Sequence, residues 1–175
     1  MRNWREAALA TATVAMFSGG HAVAAPAKAA VFPFEFIDSS QEGESNGPRQ
    51  DETDRVKRVA EQVAEFLRKG SIDVVDATPA QAGLKDVKSL KDCIPCATKA
   101  AGAVGADLVV VGHIQKVSNL ILNINVQIVD VKTGKTVRGG SADIRGNTQE
   151  TWDHGTKYLM TRNILKDPMP EAGAL

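Results

Sequence analysis

The sequence lacks an excess of charge of either sign. Its 175 residues include 21 lysine and arginine side chains and 21 aspartate and glutamate side chains, so the formal net charge is zero. Proteins that bind nucleic acid usually carry a basic patch that neutralises phosphates. The charge balance therefore predicts no nucleic-acid partner. The length is sufficient for one domain with its own hydrophobic core.

Residues suited to catalysis are also scarce. The chain has one tyrosine and three histidines, and it contains neither a glycine-rich phosphate loop nor a His-Glu-x-x-His helix. Active sites assembled from distant segments leave no such motif, so the sequence leaves enzymatic activity undecided. We predict a protein without a cofactor, without a metal site and without dedicated catalytic residues.

The N-terminal 24 residues have the pattern of a secretory signal peptide. Arg2 and Arg5 are followed by an apolar stretch at 7–17, and Ala22-Val23-Ala24 supplies the small residues that a signal peptidase recognises. We predict cleavage after Ala24 and export to the periplasm. The mature chain would still be close to neutral, with 19 basic and 20 acidic side chains once Arg2, Arg5 and Glu6 are removed.

Beyond the signal peptide the chain lacks a long apolar run. No later segment approaches the ~20 apolar residues that a membrane-spanning helix needs, so we predict no membrane span. Residues 25–165 are expected to form a single α/β domain. Residues 166–175 contain Pro168, Pro170 and Gly173 without hydrophobic periodicity, and this pattern predicts a disordered tail.

Hydrophobic periodicity predicts an α/β fold with the element order β-α-β-α-β-β-β-α. We expect one mixed sheet of about five strands, with helices packed on it and an antiparallel meander at its C-terminal end. The predicted strands cover 31–37, 72–77, 108–111, 120–128 and 136–144, and the predicted helices cover 54–69, 93–104 and 148–165. Pro33 cannot donate to a ladder, which places this residue at an edge, at a strand start or at a bulge, and we predict that residues 31–37 form an edge strand.

The strand predicted at 120–128 has the clearest alternation in the sequence. Its apolar residues, Leu120, Leu122, Ile124, Val126 and Ile128, point to one face. The intervening residues Asn123, Asn125 and Gln127 point to the other face. Gly134 then supplies the positive φ of a tight turn into the last strand. If no helix covers the polar face, these three amides form a neutral surface suited to binding a protein.

Residues 38–53 are rich in acidic and turn-forming side chains. They include Asp38, Glu42, Glu44, Asp51 and Glu52, but not the alternating oxygen ligands and central glycine turn of an EF-hand. We predict a flexible, solvated acidic loop. A small-ligand or metal-binding role, with this loop as a lid, stays open as an alternative.

The only two cysteines form a Cys93-Ile94-Pro95-Cys96 motif at the start of a predicted helix. A helix N-terminus lowers the pKa of a thiol, and thioredoxin-type proteins place Cys-x-x-Cys motifs there. The sequence has no proline between Cys96 and Pro168 to form the loop that such sites pack against. In an oxidising compartment we predict a structural disulfide, with a thiol-disulfide exchange protein as the alternative and metal binding as a less favoured one.

A polar and aromatic group, Arg145, Asn147 and Trp152, follows the last strand. Arg145 has the two-pronged geometry to hold a partner's carboxylate, or it can pair with Asp143 or Glu150 and fix the turn. Asn147 is spaced to cap the last helix with Glu150. Together with the amides at 123, 125 and 127, these three residues form the predicted binding surface.

Three stretches carry a family resemblance: Val31-Phe32-Pro33-Phe34-Glu35-Phe36, Gly105 to Gly112, and Ile144 to Trp152. In these the chain resembles an exported bacterial family known as a domain of unknown function. Its element order is similar to the small α/β domain of envelope assembly factors, among them the amino-terminal domain of TolB, curli-secretion lipoproteins and lipoprotein activators of cell-wall synthases. The resemblance implies a non-catalytic accessory module of the cell envelope whose partner is another periplasmic or outer-membrane protein.

Overall fold

The computed structural model describes residues 26–169, which form six strands and five α-helices. The strands are β1 (Lys28–Val31), β2 (Glu35–Asp38), β3 (Asp73–Val75), β4 (Leu108–Ser118), β5 (Ile121–Asp130) and β6 (Thr136–Ile144). The helices are α1 (Gln41–Asn46), α2 (Gln50–Lys69), α3 (Thr78–Gln81), α4 (Ile94–Ala103) and α5 (Gln149–Tyr158). A 3-10 turn at Ala82–Leu84 follows α3, and a π-helical segment at Leu159–Ile164 continues α5. The predicted signal peptide lies outside the described residues, as does most of the predicted tail.

The strands form the mixed sheet that the sequence predicts, in the order β3-β1-β4-β5-β6. Both β1 and β3 run parallel to β4, whereas β4, β5 and β6 form an antiparallel meander. Gly134, with a φ of 69°, turns the chain between β5 and β6 as predicted. The meander agrees with the sequence because a period of two over several residues is specific for a half-buried strand.

The predicted strand 31–37 is in fact two strands that lie end to end along β4. The first, β1, pairs with β4 at Leu108 to Val110, and β2 pairs with it at His113 to Lys116. The break falls at Phe32-Pro33-Phe34, where Pro33 has no N–H to donate. The edge prediction is therefore wrong for β1, because this strand also pairs with β3. Within the described chain β2 pairs with β4 alone.

Two hydrophobic clusters lie on opposite faces of the sheet. The larger cluster packs α2, α5 and the π-helical segment against one face, with Trp152 and Leu67 fully buried among strand residues such as Ile124. The smaller cluster packs Ala97 and Ala101 of α4 against Val109 and its neighbours. Phe32 belongs to the smaller cluster and Phe34 to the larger one, so the break at Pro33 sends the two rings to opposite faces.

Several boundaries differ from prediction for identifiable reasons. Residues 38–53, expected to be an irregular loop, contain α1 and the first turn of α2. No residue of α1 is buried, so this helix has no apolar stripe by which periodicity could reveal it. Leu120 lies in the turn between β4 and β5 and is exposed rather than buried. No helix within residues 26–169 is both long and apolar enough to cross a lipid bilayer.

Candidate functional site

The polar face of the meander carries the three predicted amides. The three amides are partly exposed, and none of them belongs to the smaller cluster, although Gln127 lies directly opposite Val111, which is a member of that cluster. Asn123 donates from Nδ2 to Oδ1 of Asp143 at 2.6 Å, and Gln127 donates to Oγ1 of Thr136, also at 2.6 Å. These lateral hydrogen bonds hold the amides flat against the sheet.

A cleft of about 370 Å³ lies on this face. Asn125 and Gln127 form its floor together with His113, which is opposite Asn125 in the ladder, and Lys91 lies at its rim. Burial, and then the charge of Lys91, lower the pKa of His113, so the imidazole is neutral at pH 7. Glycines at 139 and 140 keep the β6 side of the cleft low. The cleft therefore offers neutral donors and acceptors, because the ammonium of Lys91 is already paired with Asp92 at 2.7 Å.

The other three predicted surface residues do not join this face. Trp152 is fully buried, and its Nε1 donates to Oδ1 of Asn147 at 3.0 Å. Asn147 in turn donates to Oε1 of Glu52 at 2.6 Å. Asn147 is not the helix cap, since Thr148 caps α5 in a box closed by Thr151. Asn147 and Trp152 thus connect elements inside the fold, and the prediction of one continuous surface with the amides is wrong.

The structure shows an ionic cluster that sequence reasoning missed, which we call the Lys116 cluster: Lys116, Asp38, Glu42 and Glu52. The Lys116 side chain is fully buried, and its Nζ lies 2.6 Å from Glu52, 3.2 Å from Asp38 and 3.2 Å from Glu42. The three N–H groups of the ammonium thus face three carboxylates. Glu52 is also buried, at 1% exposure, and its Oε2 has no hydrogen-bond partner among the described residues.

The charges of the Lys116 cluster stabilise one another. Burial lowers the pKa of Lys116, but hydrogen bonds to Glu52, Glu42 and Asp38 outweigh burial and raise it overall. Hydrogen bonds from Asn119, Lys116 and Arg49 lower the pKa of Glu42. The lysine is therefore a charged structural ammonium at neutral pH, and it is not poised as a nucleophile.

One sequence signal could have revealed the Lys116 cluster. Lys116 has the same parity as Leu108, Val110 and Ile114, so alternation in β4 places it on the core side. A lysine at a core position requires acidic partners, because an unpaired buried charge is too costly. The acidic segment that supplies them begins at Asp38, directly opposite Lys116 in the β2–β4 ladder.

The two cysteines form the predicted disulfide at the N-terminus of α4. Cys93 caps the helix, Cys96 lies in its first turn, and their Cα atoms are 5.2 Å apart. Both residues are half-buried. The bond fixes the turn through which the chain enters α4.

Three further features of residues 26–169 bear on the predicted ligand, metal and catalytic alternatives. A cleft of about 610 Å³ lies between α2 and the β1–β2 junction, and residues 38–54 do not line it, so they are not its lid. Within residues 26–169 no group of histidine, cysteine and acidic side chains could hold a metal ion.

The pattern Gly43-Glu44-Ser45-Asn46-Gly47 matches Gly-x-Ser-x-Gly, which our sequence interpretation passed over. However, Ser45 is exposed inside α1 and not on the strand-to-helix turn of a nucleophile elbow.

Comparison with protein families shows to which family the chain is similar. The model of the DUF3280 family, described as "Protein of unknown function (DUF2380)", matches residues 27–164. No curated protein matches the chain.

Several solved structures are similar to this chain at low sequence identity. The NMR structure of LpoB from Escherichia coli has a TM-score of 0.50 and 17% identity, and the match covers 72% of this chain and 60% of that one. The C-terminal domain of LpoB from Salmonella enterica has a TM-score of 0.48 and 17% identity, with coverage of 71% and 86%. Lipoprotein GNA1162 from Neisseria meningitidis has a TM-score of 0.48 and 19% identity, with coverage of 70% and 83%. At these identities the similarity concerns the fold alone.

Proposed function

The chain belongs to the DUF3280 family, and we propose that it is an exported accessory protein of the bacterial cell envelope that binds another protein without catalysing a reaction. The observation that carries the proposal is the partly exposed polar face of the meander, on which no helix packs against the amides of β5. A sheet face that lacks a helix layer and displays hydrogen-bonding amides is suited to contact with a second protein.

The chemistry of the face favours a protein over a small charged ligand. Asn123, Asn125 and Gln127 are neutral, and so is His113 at pH 7. Export is supported by the signal-peptide pattern at 1–24, and the periplasm is the compartment in which the Cys93–Cys96 disulfide would persist.

Site-specific photo-cross-linking in the native envelope tests the proposal. A photoreactive amino acid in place of Gln127 should produce a discrete cross-linked species with one protein, because this side chain is on the uncovered face. The same amino acid in place of Lys57, an exposed residue of α2 on the other side of the sheet, is the matched control. Identical products from both positions, or none from position 127, would refute the proposal.

A further inference from the structure

The short helix α1 has no hydrophobic attachment to the rest of the fold. Its residues Gln41–Asn46 include no apolar side chain, and none of them is buried. The hydrophobic effect, which holds α2 and α5 on the sheet, therefore contributes nothing to its position. A helix of six residues also does not persist by itself in water, because its few hydrogen bonds do not offset the cost of nucleation. Contacts between polar groups must therefore hold α1 in place.

Within the described chain, every side-chain bond from α1 to another element comes from Glu42. Its Oε2 accepts from Nδ2 of Asn119 at 2.7 Å and from Nζ of Lys116 at 3.2 Å. Its Oε1 accepts from Nη1 of Arg49 at 3.1 Å. The carboxylate thus joins α1 to β4, to the turn between β4 and β5, and to the residue that precedes α2.

The chain is anchored independently on both sides of α1. Before the helix, Ser39 donates to the carbonyl of Lys116 from its backbone N at 2.9 Å and from its hydroxyl at 3.1 Å. After the helix, Arg49 forms an ion pair of 3.0 Å with Asp51 in the first turn of α2. Loss of the Glu42 bonds would therefore free residues 41–48 and leave β2 and α2 in place.

The charges around Glu42 favour its ionised form. Lys116 and Arg49 are the cations that face it, and Asp38 and Glu52 are the carboxylates that share the ammonium of Lys116 with it. The side chain of Glu42 is 29% exposed, compared with 15% for Asp38 and 1% for Glu52. Glu42 therefore forms the outer side of the Lys116 cluster, where water and protons reach it first.

The titration of Glu42 gives the direction of the pH response. Hydrogen bonds from Asn119, Lys116 and Arg49 lower its pKa below the ordinary value of 4.5 while α1 is in place. A carboxyl whose pKa is lowered by a contact stabilises that contact above its ordinary pKa, and the contribution is lost as the pH falls through the lowered pKa. Acid therefore weakens the attachment of α1.

We propose that α1 is an acid-sensitive latch on the Lys116 cluster. Protonation of Glu42 releases residues 41–48, which unwind while the sheet and helices α2 to α5 stay folded. The ammonium of Lys116 then loses its outermost partner and becomes accessible to solvent. Lys116 lies opposite Leu122 of the larger cluster, so the latch and the amides of β5 are on opposite faces of the sheet. The latch is thus a second, independent feature beyond the proposed function.

NMR of the complete mature protein tests the latch. In ¹³C-labelled protein the Cα chemical shifts of residues 41–46 report how much of α1 is helical. Glu42→Gln removes the charge and keeps the size of the side chain. Glu44→Gln is the matched control, because Glu44 is exposed on the same helix and forms no ion pair within residues 26–169.

At pH 7 the variant Glu42→Gln should lose at least about half of the helical Cα shift of α1, because so short a helix does not persist without its contacts. Glu44→Gln should keep the shifts of the unaltered protein. In the unaltered protein the same loss should develop between about pH 5 and pH 3, before the shifts of α2 and β4 change.

Native Cα shifts of α1 in Glu42→Gln at pH 7 would overturn the inference. Loss of α1 and α2 in a single step on acidification would also overturn it, since the opening would then be global unfolding. An equal loss in Glu44→Gln would show that α1 responds to any acidic charge on the helix rather than to the bonds of Glu42. None of these results affects the proposed function, which depends on the cross-links formed from position 127.

Discussion

Lys116 is a charged side chain at a position that strand alternation assigns to the core. It is fully buried, and its ammonium joins residues that lie 64 to 78 positions away along the chain, in β2, α1 and α2. Buried ion pairs often add little net stability compared with apolar replacements, but removing one partner leaves an uncompensated charge. The cost of losing Lys116 therefore comes mainly from Glu52, which cannot reach water.

We predict that Lys116→Met lowers the free energy of unfolding by about 3–5 kcal/mol, because Glu52 is left buried without its cation. Urea denaturation monitored by circular dichroism measures the change. Lys57→Met, which removes an exposed lysine, is the control and should shift the free energy by less than about 0.5 kcal/mol. The double variant Lys116→Met/Glu52→Gln should be more stable than Lys116→Met alone. If it is less stable, the buried carboxylate is not the source of the cost.

At the scale of single residues the sequence identified some of the important side chains but not their partners. The amides of β5 were predicted on the polar face, and their orientation follows from alternation alone. The role of Asn147 was predicted wrongly, because capping spacing is local whereas its hydrogen bonds reach Glu52, 95 residues away. Contacts of that separation depend on how α2 and α5 pack, and no periodicity within one element encodes this.

At the scale of elements the disulfide at the start of α4 separates the proposed function from its alternative. It closes a loop of only a few residues, so the chain-entropy model gives it a small share of global stability. A structural role then consists of fixing the entry to α4. A redox role requires instead that the bond exchange readily with other thiols.

We predict a reduction potential below about −300 mV for the Cys93–Cys96 pair, because a bond that serves the fold resists reduction. Thiol trapping of the mature protein in glutathione buffers measures the potential. Replacing both cysteines by serine should lower the free energy of unfolding by about 2 kcal/mol or less. A potential near −200 mV or higher would make the protein a thiol-disulfide exchange protein and would favour the alternative function.

Elements with strong hydrophobic patterns were predicted well, and those without were not. The meander and α2 carry regular apolar stripes, so their type and order follow from the sequence. By contrast, α1 has no buried residue, and its acidic composition suggested a loop. The split at Pro33 also escaped prediction, because three phenylalanines at alternate positions indicate one strand although the chain bends between them.

At the scale of the whole molecule the Lys116 cluster links stability to pH. Burial raises the pKa of Asp38, but hydrogen bonds from Ser40 and Lys116 to the carboxylate outweigh burial and lower the pKa overall. Hydrogen bonds from Asn119, Lys116 and Arg49 lower the pKa of Glu42. A carboxylate whose pKa is lowered in the folded state stabilises the fold above its ordinary pKa. That contribution is lost as the pH falls through the folded-state pKa.

We therefore predict that the free energy of unfolding decreases modestly below about pH 6.5, because the folded state resists protonation of His113, and decreases further below the ordinary pKa values of 4.5 for Glu42 and 3.8 for Asp38. Urea denaturation at a series of pH values measures this. The decrease should be smaller in Lys116→Met/Glu52→Gln, which lacks the cation that lowers both pKa values. An equal decrease in this variant would place the acid sensitivity elsewhere in the molecule.

The overall architecture could be predicted from the sequence, but the coverage of its faces could not. The order of strands and helices predicted one mixed sheet with helices packed on it, and the structure confirms both. Which face each helix covers depends on the handedness of the crossovers and on helix lengths. The ten residues of α4 pack against the part of the second face that includes Val109 and Val111, and the amides of β5 stay partly exposed.

The end-to-end placement of β1 and β2 has a consequence for how the molecule opens. Because β4 is paired along most of its length on one side by β1 and β2 and on the other by β5, its amides have few routes to solvent. Amides in such a strand exchange their hydrogens only when most of the fold comes apart. Exchange should therefore be slowest in β4 and fast along the unpaired side of β6, so that the most rigid and the most accessible backbone lie two strands apart in one sheet.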